Sequence, residues 1–182
     1  FRNISFQVVS IITTTGFATA DYTTWGYFMT FIFFLFLFSG ASAGSTSGGI
    51  KIVRIIILIK NSLLEFKRRL HPKAVIPVLL NGSAISNQII YNLLAFIFLY
   101  LFIFTIGSIF LAALGLDFLT AISAVASAVG NVGPGIANVG PSYSFDQIPA
   151  VGKWVLCLLM LMGRLELFTV CLIFTPYFWK RI

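Results

Sequence analysis

A segment that stays predominantly apolar from Ile89 to Leu114 leaves a chain few choices. It is long enough to cross a hydrocarbon core of ~30 Å as a tilted helix. In lipid every backbone N–H and C=O must be satisfied inside the fold, which restricts spanning structures to helices and closed barrels. Composition agrees with a membrane environment. Mean hydropathy is +1.01, 59% of residues are hydrophobic and 9% are charged, where soluble domains carry roughly 25% charged residues. Twenty phenylalanines could not be hidden in a soluble chain of 182 residues. The expected class is an all-α integral membrane protein.

The net charge of +7 is local: seven of the twelve Lys and Arg residues lie between Lys51 and Lys73. A basic block beside apolar spans is a topology signal that places its side in the cytoplasm. A nucleic-acid patch fits less well, because the block has no fold of its own. With residues 51–73 inside, the chain crosses outward through 89–114 and returns through a last span at 148–179, which puts Lys180 and Arg181 inside too. Asp21, Asp117 and Asp146 then fall outside, where negative charge concentrates cations. Cys157 and Cys171 share that last apolar segment and imply no disulfide framework. His71, followed by Pro72, reads as a helix-end residue and not as a metal ligand. The chain starts at Phe1 with no signal-peptide pattern before its first apolar run, so it is expected to begin within a longer protein.

One pattern occurs twice. In Ser10-Ile-Ile-Thr-Thr-Thr-Gly16-Phe17 and in Ser127-Ala-Val-Gly-Asn-Val-Gly133-Pro134, a hydroxyl residue precedes a glycine by six positions. An Asp-containing connection and a long hydrophobic segment follow each. Such internal repeats are common in transporters. The pattern predicts a short helix over 1–15, with Asn3 or Ser5 as caps, and another over Phe118–Val129. Both are too short to span, and each ends at a glycine that lets extended backbone turn its carbonyls onto an ion. Their partial negative C-terminal ends would point toward the membrane centre.

Between these units, Phe28–Phe38 is almost pure Phe, Leu and Ile, and residues 39–49 contain only Gly, Ala, Ser and Thr. A segment as short as 28–38 reaches only ~16 Å into the core, so 39–49 is expected at membrane depth. Irregular backbone is tolerated there when protein buries it or a water-filled cavity solvates it. A flexible linker is the bland alternative for such composition, but the position between two apolar half-segments favours the cavity-lining reading. A phosphate-binding P-loop over Gly44–Lys51 fails for want of the Gly-Lys-Ser/Thr ending. A helix resumes at Ile50. Residues 71–86 then predict a small hairpin, Val75–Leu80 and Ser83–Ile85, around an Asn81-Gly82 turn.

Arg164 and Glu166 lie inside the last apolar segment, where a charge costs at least ~2.5–3.5 kcal/mol. Two apart, they do not face each other on one helix. Arg164 has two readings: a buried charge neutralised by a neighbouring helix, or an electrostatic barrier projecting into an ion path level with 39–49.

These stretches resemble the TrkH/KtrB potassium-uptake superfamily, and the TrkH branch more closely. Residues 10–21 are similar to its third pore loop and Ala43–Lys51 to the broken middle of its third-repeat inner helix. Asn131-Val132-Gly133-Pro134-Gly135 is similar to its fourth pore loop and Gly163–Thr169 to its last inner helix. The resemblance covers essentially the whole chain. It implies helix–pore loop–helix repeats with re-entrant loops and a broken inner helix. Residues 1–70 would be a third repeat without its outer helix, 71–88 a cytoplasmic hairpin linker and 89–182 a fourth repeat. It further implies potassium ion as the transported species, passively or by symport, with no enzyme activity. Potassium-binding filter positions would be Thr14, Thr15, Gly16, Phe17, Asn131, Val132, Gly133 and Pro134. The gate would comprise Gly44, Ser45, Thr46, Ser47, Gly48, Gly49 and Arg164. Expected partners are the absent N-terminal repeats, a second copy in a homodimer, a cytoplasmic nucleotide-binding subunit of the TrkA or KtrA type, and membrane lipid, in a bacterial plasma (inner) membrane with multiple spans. The rival is a structural module whose glycines serve helix packing.

Overall fold

The computed structural model describes residues 1–42, 44–45, 47–71, 74, 76–165, 167–173 and 176–179. Helices carry the fold in chain order: α1 (Arg2–Ile12), α2 (Tyr27–Phe36), α3 (Ile52–Leu70), α4 (Asn87–Ala113), α5 (Phe118–Gly130), α6 (Ala150–Arg164), α7 (Leu167–Ile173) and α8 (Pro176–Trp179). Among the described residues, α4 is the one helix long and apolar enough to cross a membrane by itself; α2 and α5 are shorter apolar helices.

α4, α5 and α6 form the main packed layer. Its core includes Tyr100, Leu111, Val125, Val129, Leu156 and Leu159. α5 is the centre of that layer: from Thr120 to Gly130 every residue except Ile122 is buried. Its Ala- and Ser-rich composition explains this, because small side chains let neighbouring helices close on the backbone. A second cluster joins Ile11, Tyr22, Phe33 and Leu37 to Ala126, Val132 and Ile136, tying the first unit to α5 and its following loop. A third packs Ile57 of α3 on Val78 and Ile90.

α1 ends at Ile12 rather than at residue 15, because Thr14 turns left-handed. Asn3 and Ser5 lie inside it and do not cap it; the N-cap is Phe1, with no side-chain bond. The last apolar segment is not one continuous helix. α6 stops at Arg164 with Leu165 as its C-cap, and a separate α7 starts at Leu167. The hairpin forms as β3 (Val78–Leu80) and β4 (Ser83–Ile85), antiparallel, around Asn81 and Gly82, both at positive φ. Its expected first residue, Val75, and Pro72, Lys180 and Arg181 lie outside the described residues. His71 is the C-cap of α3, its N–H donating to the Lys67 carbonyl at 3.0 Å.

Residues 39–49 contain a feature the sequence did not announce. β1 (Ser39–Gly40) pairs in parallel with β2 (Ile50–Lys51), with Ser39 opposite Ile50 and Gly40 opposite Lys51. A parallel pair formed across so short a connection means the chain loops out and resumes in its original direction. α2 and α3 are therefore two halves of one interrupted path.

Candidate functional site

The two recurrent patterns fold into matching turns. At the end of α1, Thr14 is left-handed (φ 57°), as is Asn131 at the end of α5 (φ 55°). The next N–H reaches back to a serine carbonyl in both: Thr15 to Ser10 and Val132 to Ser127, each at 3.0 Å. The same serines then use their hydroxyls to hold the loop. Ser10 Oγ donates to the Phe17 carbonyl at 2.7 Å and Ser127 Oγ to the Gly133 carbonyl at 2.7 Å. Loop carbonyls beyond a helix end have no helical partner and need one from elsewhere; here a serine hydroxyl supplies it. The spacing of Ser and Gly in the sequence is the trace of this device.

The exits of the loops are also tied to their own helices. Gln7 Nε2 donates to the Ala20 carbonyl at 2.5 Å, and Ser123 Oγ to the Ile136 carbonyl at 2.8 Å. Gln7 is buried, as are Ser10, Ser123 and Ser127. Polar side chains so placed persist because each is hydrogen-bonded.

The loops meet. A methyl on Gly16 (φ 73°) would overlap the Val132 carbonyl oxygen, and one on Gly133 (φ 112°) would lie 3.7 Å from Gly16 Cα. Gly16, Phe17, Gly133 and Pro134 line one open groove of about 400 Å³ on the side of Pro141 and Tyr143. The structure therefore brings the two sets of expected filter residues together. With Phe17 and Gly133 each committing a carbonyl lone pair to serine, the carbonyls of Thr14, Thr15, Gly16, Asn131 and Val132 carry no such serine bond among the described residues.

Below the second loop, two glycine backbones converge on the end of α5. A methyl on Gly48 would lie 2.5 Å from the Gly130 carbonyl and 2.9 Å from Asn131 Nδ2; one on Gly163 would overlap the Val129 carbonyl. Asn131 Nδ2 donates to the Met160 carbonyl of α6 at 3.1 Å. Asn131 thus bonds α6 while touching the 39–49 loop. Its carbonyl was foreseen as a participant; its side chain was not.

The 39–49 loop is held by its own hydroxyls: Ser47 Oγ accepts from the Ala41 N–H at 3.1 Å, and Ser45 Oγ from the Ser47 N–H at 3.2 Å. Ser45, Ser47 and Gly49 share a cavity of about 50 Å³ with Arg164, Lys51, Arg54 and Tyr100. Gly44 belongs to the same turn, at φ 84°. Thr46 and Glu166 lie outside the described residues. Arg164 and the small-residue loop, far apart in sequence, are brought to one cavity. Lys51 and Arg54, read from sequence only as topology charges, line it too. The Arg54 guanidinium sits 4.0 Å over the Phe96 ring, a cation–π arrangement that holds it. The Tyr100 hydroxyl is buried with no hydrogen-bond partner among the described residues. Cationic side chains at a constriction raise the energy of a passing cation.

On the side of the groove, Asp21 caps the turn Tyr22–Trp25, accepting from the Thr23 N–H at 2.9 Å and Thr23 Oγ1 at 2.6 Å. Burial pushes its carboxyl up, but the Thr23 and Ser142 hydrogen bonds outweigh that and hold it below its ordinary value. Tyr22, one residue on, is fully buried and donates to the Gly135 carbonyl at 2.6 Å. Nothing in the polar connection 17–26 singled it out.

The mostly helical scaffold, with one apolar helix of membrane-spanning length among the described residues, fits an all-α membrane transporter fold. The fold is similar to the crystal structure of the potassium transporter TrkH from Vibrio parahaemolyticus, with a TM-score of 0.88 and 38% identity, over 98% of this chain and 38% of that one. Residues 1–181 match the TrkH family, described as cation transport protein, and the chain belongs to it. Among curated relatives it is 38% identical over 180 residues to the Trk system potassium uptake protein TrkH of Halomonas elongata, over 99% of this chain and 37% of that protein. It is 40% identical over 179 residues to the Trk system potassium uptake protein TrkI of the same organism, over 98% of this chain and 36% of that protein. The chain thus spans a little over a third of the relatives it matches. The family is one of transport, not catalysis.

Proposed function

We propose that residues 1–182 supply two quarters of a potassium-conducting pore in a bacterial plasma membrane, with the other quarters contributed by the remainder of a longer protein. The observation that carries this reading is the repeated turn. Two loops share a left-handed residue four positions after a serine, share that serine's hydroxyl lock, and touch at Gly16 and Gly133. Backbone carbonyls at such a junction can replace an ion's hydration shell. Two loops cannot surround an ion, and the relatives named for potassium uptake are nearly three times as long.

In this reading Thr14, Thr15, Gly16, Asn131 and Val132 offer carbonyls to potassium, while Phe17, Gly133 and Pro134 shape the groove above. The loop containing Gly44, Ser45, Thr46, Ser47, Gly48 and Gly49 occludes the path beneath, with Arg164 as its electrostatic counterpart. Residues 1–70 and 89–182 act as the third and fourth repeats, joined by the cytoplasmic hairpin. The basic end of α3, with Lys67, Arg68 and Arg69 in its last turn, suits a cytoplasmic regulatory subunit that binds nucleotide, and the whole protein works as a homodimer.

Glycines inside helices, such as Gly107 against Val125 and Leu159, do serve packing. They are distinct from the loop glycines, so packing does not account for the repeated turns. The test is potassium-limited growth of an uptake-deficient bacterium expressing the full-length protein, with membrane insertion checked. Wild type rescues growth and Gly133→Asp abolishes rescue while inserting normally. A harmless Gly133→Asp would leave helix packing as the better account.

A further inference from the structure

Each loop is tied to its own helix at both ends, through Ser10 and Gln7 in one and Ser127 and Ser123 in the other. None of these bonds fixes one loop relative to the other. The contact between Gly16 and Val132 sets how close the loops come but is not directional. Among the described residues, two hydrogen bonds cross from the segment after the first loop: Asp21 accepts from Ser142 in the connection well beyond the second loop, and the Tyr22 hydroxyl donates to the Gly135 carbonyl just past that loop, at 2.6 Å and fully buried.

The donor is rigid. The Tyr22 ring stacks on Phe33 of α2 with centroids 4.7 Å apart and planes at 16°, and Trp25 meets the same Phe33 ring edge-on at 5.8 Å. The Asp21 cap fixes the turn that carries it. The acceptor is equally confined. The Gly135 N–H donates to the Val139 carbonyl at 2.7 Å, and a methyl there would meet Val139 Cγ2 at 2.8 Å and the Ser123 carbonyl at 3.2 Å. A stiff aromatic side chain from the turn before α2, braced on α2, therefore ends on a backbone atom two residues after Gly133. Donor and acceptor are 113 residues apart in sequence.

We infer that Tyr22 is a positioning residue for ion selection: its hydroxyl holds the second loop in lateral register with the first and so sets the spacing of the carbonyls that meet the ion. It touches no ion itself. Selectivity between cations of different size depends on how many carbonyls reach the ion and how firmly they are held, and a buried carbonyl that loses its donor shifts to find another. The inference rests on the filter reading proposed above, and its test separates the two.

The experiment uses the full-length protein in proteoliposomes, measuring potassium and sodium flux for wild type, Tyr22→Phe and Asp21→Asn. Tyr22→Phe keeps the ring stack and removes only the hydroxyl. The expected result is continued potassium transport with the potassium-to-sodium ratio lowered about 5- to 20-fold, the loss of one buried hydrogen bond expressed at the ion, and a raised KM for potassium with a smaller change in maximal rate. Asp21→Asn loosens the turn that carries Tyr22 and weakens the Ser142 contact, leaves the serine bonds of both loops in place, and shifts the ratio in the same direction by less. Should Tyr22→Phe fail to insert, the Asp21→Asn ratio decides. An unchanged ratio and KM in the inserted variants, beside a selective wild type, overturns the role of Tyr22 and leaves the filter standing. A wild type that moves neither ion overturns both.

Discussion

The turn at residues 13–17 and the turn at residues 131–134 share one backbone path but not one setting. α5 leads into the second loop as a helix buried from Thr120 onward, pressed between α4 and α6. α1 leads into the first loop with only Gln7, Ser10 and Ile11 buried, leaving Ile4, Phe6 and Val9 exposed. Turns this similar in such unlike surroundings, differing by one residue in the carbonyl the serine holds, mean that the turn is encoded locally. A serine hydroxyl, a left-handed residue four positions later and a glycine six positions later are enough; packing decides how firmly the result is held.

The sharpest way to break this comparison is to put the same methyl on both loop glycines. At Gly16 the methyl overlaps the Val132 carbonyl as well as straining a left-handed backbone; at Gly133 only the strain applies. A left-handed non-glycine costs about 1–2 kcal/mol, so Gly133→Ala lowers potassium uptake about tenfold. Gly16→Ala abolishes uptake, both being measured as initial rates in cells expressing the full-length protein. Equal losses would mean that the two loops do not touch as described.

A second comparison removes the locks. Ser127→Ala and Ser10→Ala each leave a carbonyl without its donor, at about 1–3 kcal/mol where water cannot substitute. The cost should be larger for Ser127, which is fully buried in the packed layer. Melting temperatures of the purified full-length variants order them, Ser127→Ala lowest. Gly163→Ala bears on what packs the second loop alone. Its methyl overlaps the Val129 carbonyl, and overpacking of about 1–3 kcal/mol lowers the melting temperature while Ser10-side chemistry is untouched.

The smallest effect is on pH. Asp21 titrates below its ordinary value when folded, so its contribution is fully present above the unfolded carboxylate range near 4. It is lost as pH falls through the lowered folded value. The stability difference between wild type and Asp21→Asn is therefore present at neutral pH and shrinks on acidification, as a melting series in pH would record.

Much of this was legible in the chain. The long apolar run at 89–114, the Asn81-Gly82 turn and the serine–glycine spacing each act through neighbours in sequence, and each appears where expected. What sequence could not display acts across distance. Tyr22 sits in a polar connection, yet its partner is 113 residues away. Asn131 reaches Met160 through its side chain, and Lys51 and Arg54 join Arg164 only because the parallel pair at Ser39–Gly40 and Ile50–Lys51 returns the chain to its path. The break after Arg164 was not legible because hydropathy reports environment rather than helix continuity.

The central claim, that the two loops jointly face one ion, is tested most directly by crystals of the full-length protein grown in rubidium and measured at its absorption edge. The account predicts an anomalous peak beside the carbonyls of Thr15, Gly16 and Val132, reached by both loops. Rubidium bound elsewhere in the same crystals, with no peak between these loops, would contradict it.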